Sequence, residues 1–264
     1  MIMTKRQMRK AIARKQRMDF LPATLRVSGS LHRRASVDGV TYKVADSREE
    51  REAAMRLVYD SYVKAGLIAR NRYGMRVTPY HLLPLTDIFV ALKDRQVAYT
   101  VTLITDDGDG VPLDSIFPNE LNAVRHEGIS FAEVSCLAGR EGLDRRSGYE
   151  MFLNLIALTF QYSRHNDIDR LLLAVHPRHA RFYERIFGCE VCGATKSYAA
   201  VCDHPAVPMV HDFRKLDDQP YKLFDRMYAH SYANCGLLRQ PMSTADRMYF
   251  GEAVSSSEQH PAAL

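Results

Sequence analysis

The stretch Val175–Gly188, VHPRHARFYERIFG, decides the fold. It continues RLLLAV (170–175), an apolar run of strand length. Pro177 then falls at a first-turn position, where its missing N–H costs a helix nothing, and Gly188 marks the stop. The spacing therefore predicts a strand feeding a helix over 177–187. Upstream, residues 149–162 are apolar on nearly every face and read as a buried helix. Before them, ISFAEVSCLA (129–138) reads as another strand. Two strands joined by a helical crossover should lie parallel, which places the chain in the α/β class.

Working outward, VTYKVA (40–45) is a first strand, and Ser47 with Glu50 forms a capping box opening a helix. Met55, Val58, Tyr59, Tyr62 and Val63 give that helix one apolar face, with Gly66 as its end. Residues 69–86 hold Gly74, Pro79 and Pro84 without periodicity, a long loop of the kind that often covers a binding site. Ile88–Leu92 and Val97–Ile104 read as a hairpin closed by residues 93–96. DDGDG (106–110) is a turn with too few carboxylates for a calcium loop, and a short helix is expected over 113–125. Further strands are expected at 189–200 and 207–214, then an amphipathic helix from Tyr221 to Tyr232 ending near Gly236; residues 255–264 read as disordered. In this order the strands at 129–138 and 170–175 are the fourth and fifth.

The chain has 264 residues, 46% hydrophobic and 25% charged, enough for one domain with tails. No apolar run approaches a membrane span, and the N-terminus lacks the apolar core of a secretion signal. Five cysteines, an odd number, fit reduced thiols and a cytoplasmic location. The formal charge of +5 is uneven: residues 1–36 carry ten Lys and Arg against Asp19 alone, a net +9, so the remainder sums to −4. Such an arm reads as a solvated tail, or as a contact for an acidic partner or a membrane surface; without interleaved aromatics before Phe20, nucleic acid is not expected.

Three places can carry chemistry. In the strand at 129–138, alternation puts Ile129, Phe131, Glu133, Ser135 and Leu137 on one face. A carboxylate among such neighbours loses solvation, which raises its pKa and suits it to base catalysis; a salt bridge from Glu133 to Arg140 or Arg125 is the structural alternative. Cys136 then falls on the opposite face, as core rather than nucleophile. In GREGLDRRSGYE (139–150), Ser147 with Glu150 reads as a second capping box, and Arg145 and Arg146 lie just before it, where helix N–H groups favour an anion. In the helix at 177–187, the Tyr183 phenol, with an ordinary pKa of about 10, either packs its ring or holds a proton available at neutral pH. His176 and His179 flank the turn before that helix. Cys189, Cys192, Cys202 and His204 could be drawn as a zinc site, but residues three apart on a strand face opposite sides.

On the motifs at 129–150 and 175–193 the chain resembles the GNAT superfamily and, within it, the N-acyl amino acid synthases, related to acylhomoserine lactone synthases. The resemblance spans about residues 40–215. It implies a GNAT-like mixed central sheet flanked by helices and splayed between the fourth and fifth strands, with a basic arm (1–38), an acyltransferase domain (39–215) and a C-terminal helix and tail (216–264). It further implies transfer of a long-chain acyl group to an amino acid's α-amine, tyrosine foremost, with no metal or redox cofactor. Glu133 would be the base, backbone N–H groups around Ser135, Cys136 and Leu137 would hold the oxyanion, and Tyr183 would protonate the thiolate. Most GNAT enzymes cradle coenzyme A with Arg/Gln-x-x-Gly-x-Gly/Ala. Here Arg145-x-x-Gly148 matches half of that pattern, and Glu150 stands where the second small residue belongs. Arg145, Arg146, Ser147 and Gly148 are thus expected to meet the phosphopantetheine of an acyl carrier protein rather than acyl-coenzyme A. A coenzyme A-dependent N-acetyltransferase of the same fold, and a non-catalytic GNAT-like binding domain, remain as alternatives.

Overall fold

The computed structural model describes residues 35–232 and 237–257. The arm through residue 34, the expected helix end at Gly236, and residues 258–264 lie outside the described residues.

A nine-stranded sheet organises the chain: β1 (Ala35–Val37), β2 (Val40–Val44), β3 (Thr86–Lys93), β4 (Gln96–Thr105), β5 (Phe131–Gly139), β6 (Arg170–Val175), β7 (Glu190–Val191), β8 (Lys196–Tyr198) and β9 (His204–Asp212). Along its main path the order is β1-β2-β3-β4-β5-β6-β9-β7, with β8 beside β9, and every pairing is antiparallel except β5 with β6. The hairpin between β3 and β4 turns through Asp94 and Arg95, both at positive φ (53° and 63°), the mirror-image turn that matches strand twist. The sheet begins at Ala35, inside the segment expected to be basic arm.

Helices cover both faces. Along β3, Phe89 and Ala91 join the core beneath one face, while Ile88 and Val90 join a second core on the other. The second face receives α1 (Arg48–Lys64), capped by Ser47, whose side chain accepts from Glu50 N–H. The Glu50 carboxylate returns to Asp46 N–H rather than to Ser47 N–H, so the expected box closes one residue early. After 3-10 turns at Pro79–Leu82 and Pro112–Ser115 and the short α2 (Pro118–His126), the crossover α3 (Arg145–His165) lies over the first face. Its cap is Asp144, which accepts from Ser147 N–H at 2.9 Å. The helix therefore starts earlier than expected, and Arg145 and Arg146 are its first two residues. Helix α4 (Pro177–Phe187) has Pro177 at its start and Gly188 in the left-handed region (φ 64°) at its end, as the sequence indicates.

Beyond β9 the structure departs from the expectation of one amphipathic helix and a tail. Among the described residues three helices follow: α5 (Phe213–Asp218), the five-residue α6 (Phe224–Tyr228) and α7 (Thr244–Ser257). Phe250, Ala253 and Val254 of α7 join the core with Met55 of α1. Among the described residues no helix is long and apolar enough to cross a membrane.

Candidate active site

Strands β5 and β6 pair over three residues only, Phe131 with Arg170, Ala132 with Leu171 and Glu133 with Leu172. Beyond Glu133 the two strands part, although β5 runs on to Gly139 and β6 to Val175. Two features on β5 accompany the parting. Cys136 sits at φ 52°, and the ladder to β4 slips between Thr100 and Thr102, so Cys136 is the extra residue of a β-bulge. Gly139 lies under the Tyr99 ring, where an added Cβ would stand 2.4 Å from its Cζ. The bulge corrects the strict alternation expected from sequence. Phe131, Glu133 and Ser135 share a face with their partners on β4, but the extra residue inverts the pattern: Cys136 packs with Val58 and Tyr62 on the α1 side, and Leu137 packs into the opposite core. Cys136 is therefore on the face of Glu133, not opposite it.

A cavity of about 430 Å3 opens in the splay. Glu133, Ser135, Cys136, Leu137 and Tyr183 all line it. One part of its wall is apolar, built from Ile156, Phe160, Leu171, Leu173 and Phe187. The other part carries Tyr62, Arg76, His176, Tyr198 and His204. The α-helix, loop and strand supplying Tyr62, Arg76 and Tyr198 are read correctly from sequence only as an apolar helix face, an aperiodic loop and a β region; no local motif marks these three as site residues.

Glu133 is 2% exposed, and its Oε2 accepts from Leu113 N–H at 2.7 Å. Burial holds its carboxyl well above the ordinary range, against the lowering effect of that N–H. Neither expected salt bridge forms: Arg125 is held by Asp106 and Asp114, and Arg140 by Gln96. Oε1 accepts no hydrogen bond among the described residues and is free for a ligand in the cavity. Tyr183 is half-buried, and burial pushes its phenol up to about 12, so it is protonated at neutral pH. His176 caps α4, its Nδ1 accepting from Arg178 N–H at 3.3 Å, which places the ring proton of the neutral form on Nε2.

Arg145, Arg146, Ser147 and Gly148 do not line this cavity. They form the first turn of α3 beyond the end of β5, with both arginines exposed. Gly148 is buried against the Tyr99 hydroxyl, 3.4 Å from where a Cβ would stand. Glu150 is paired with Arg226 at 2.8 Å. Cys189 is buried, whereas Cys192 and Cys202 are exposed.

The fold recurs in known proteins. FeeM, an N-acyl amino acid synthase from uncultured soil microbes, superimposes with a TM-score of 0.60 at 27% identity, covering 71% of this chain and 97% of its own. BjaI, a coenzyme A-dependent acyl-homoserine lactone synthase, matches at 0.54 and 19% over 81% of this chain and all of its own. The acyl-homoserine lactone synthase LasI matches at 0.51 and 15%, covering 65% and 88%. These two show the shared GNAT-like fold. No curated protein sequence matches the chain. The model of the N-acyl amino acid synthase FeeM family matches residues 53–212. With that match over more than half its length, the chain belongs to the FeeM family of N-acyl amino acid synthases and is an N-acyltransferase.

Proposed function

We propose that the protein moves a long-chain acyl group from the phosphopantetheine thioester of an acyl carrier protein to the α-amine of an amino acid, with tyrosine the foremost candidate. The observation that carries this reading is the placement of Glu133 and Tyr183 on one cavity that also has an apolar stretch of wall. Glu133 takes one proton from the acceptor's ammonium group. The freed amine attacks the thioester carbonyl, and backbone N–H groups of the Ser135–Leu137 segment, where β5 has left β6, face the developing oxyanion. Collapse forms the amide, breaks the C–S bond and sends the thiolate to the Tyr183 proton. The nitrogen's second proton restores the phenol, and Glu133 returns its own to solvent. The apolar wall would take the acyl chain.

The carrier-protein donor is supported by charge. Arg145 and Arg146 are exposed at a helix start, and the first 36 residues add +9. Acyl-coenzyme A is a second reading, and one observation favours it: Glu150, expected to repel a diphosphate, is paired with Arg226. The free thiols of the four described cysteines suit action in the cytoplasm. A donor comparison at matched acyl chain tests the choice. The carrier-protein donor should be preferred, the preference should shrink between about 0.05 and about 0.5 M salt as screening shortens, and Arg145→Ala with Arg146→Ala should weaken it. Equal or better turnover with acyl-coenzyme A at every salt would overturn it.

A further inference from the structure

Arg76 reaches the polar end of the cavity from the loop that follows α1. Its backbone N–H is anchored on Met55 O at 3.1 Å, and its guanidinium lies 5.0 Å over the Tyr62 ring. One fork nitrogen donates to Ala200 O at 3.2 Å. The Nε is buried and donates to nothing, and among the described residues no carboxylate pairs with this guanidinium. The other arginine lining the cavity, Arg178, is exposed and donates to His179. A buried N–H without a partner is costly, and a planar fork with free donors matches a carboxylate. Tyr198 lines the same cavity as Arg76 and Glu133.

We propose that Arg76 binds the α-carboxylate of the acceptor, between the Tyr62 and Tyr198 rings, and so aims the α-amine on the same carbon at Glu133 Oε1. This rests on the reading of the acceptor as an amino acid. Arg76 is then a positioning and selecting residue: it sets amino acids above amines that lack the carboxylate. A phosphate is the other anion a guanidinium fork accepts, but the donor's phosphate is assigned to the α3 start, whereas Arg76 stands among residues of the α1 side with Glu133.

The test pairs each amino acid with its decarboxylated amine: L-tyrosine with tyramine, L-phenylalanine with phenethylamine, L-leucine with isoamylamine, all with a dodecanoyl donor and the full chain. Wild type should prefer the amino acid in each pair it accepts. Arg76→Met should cut that preference, as a ratio of kcat/KM values, by roughly ten- to a hundredfold, through KM for the amino acid, with Arg76→Lys intermediate. Equal losses for amino acid and amine, or an unchanged ratio, would overturn the assignment; so would a wild type indifferent to the carboxylate. If Arg76→Met does not fold, Arg76→Lys and Arg76→Gln carry the same comparison. Calorimetric titration of L-tyrosine and L-leucine separates this proposal from the proposed reaction. Should wild type acylate none of these compounds, the proposed reaction fails, while weaker binding to Arg76→Met than to wild type still supports the carboxylate site and equal or undetectable binding overturns it.

Discussion

Glu133 is buried and held by one backbone N–H, and both its chemistry and its cost to the fold follow from that. Glu133→Gln keeps the shape and should slow acyl transfer by roughly two to four orders of magnitude; near-full turnover in steady-state assays across pH 6 to 9 would remove it from the mechanism. Its stability signature has a definite sign. The folded-state pKa lies above the ordinary carboxyl value, so the stability linked to the protonated form is complete below that ordinary value and is lost as pH rises through the folded-state pKa. Glu133→Gln removes the loss, so the variant's Tm relative to wild type should climb as melts move from about pH 4 to about pH 9. A pH-independent difference would show that the carboxylate is not desolvated. Tyr183→Phe should lower kcat more than it raises the donor KM, because the hydroxyl is needed only as the thiolate departs; a rise in KM alone would make Tyr183 a binding residue. Both side chains were legible in the sequence, Glu133 from its polar place in an apolar strand and Tyr183 from the strand–proline–helix–glycine stretch around it. Tyr62, Arg76 and Tyr198 were not, because they come to the cavity only when a helix, a loop and a distant strand meet.

At the scale of elements, the sequence shows where β5, α3, β6 and α4 lie, since each has the length, period or stop residues of its type. It does not show where β5 changes phase. A period of two placed Phe131, Glu133 and Ser135 correctly, then failed at Cys136, whose positive φ has no glycine or asparagine to announce it. The start of α3 was misplaced for a related reason: Asp144 and Ser147 are both good caps, and only the folded chain chooses between them. Gly139 carries a prediction about how the splay is held. An alanine there would drive Cβ into the Tyr99 ring, so Gly139→Ala should cost about 1–3 kcal/mol in denaturant unfolding, the usual penalty of overpacking. Shrinking the ring with Tyr99→Leu should recover part of that loss, since neighbours in contact are not additive. An undiminished loss in the double variant would place the strain elsewhere.

For the whole molecule, the segment after β9 is part of the folded body rather than an appendage. Asp87, buried on β3, receives Arg239 and Gln240 N–H from it, and Arg51 of α1, itself buried, is bound by Asp246 of α7 and by Gln240 O. The helix α7 escaped the sequence reading because its apolar residues form no continuous stripe, though Ser243-x-x-Asp246 at its start is a recognisable cap signal, with Asp246 N–H donating to Ser243 Oγ at 3.0 Å. Asp246→Ala strips a buried guanidinium of its carboxylate and should lower stability by roughly 1–3 kcal/mol at unchanged m-value; no shift in the unfolding midpoint would mean that α7 contributes little to the fold. The sheet, the splay and this bracing serve one end, a cavity with a buried carboxyl group and a protonated phenol beside an apolar stretch of wall. The most direct measurement is mass spectrometry of lipid extracts from cells expressing the wild type and Glu133→Gln. N-acyl amino acids that accumulate with the wild type and fall at least about a hundredfold with the variant are the expected result; wild-type extracts without N-acyl amino acids, or equal amounts from both proteins, would contradict it.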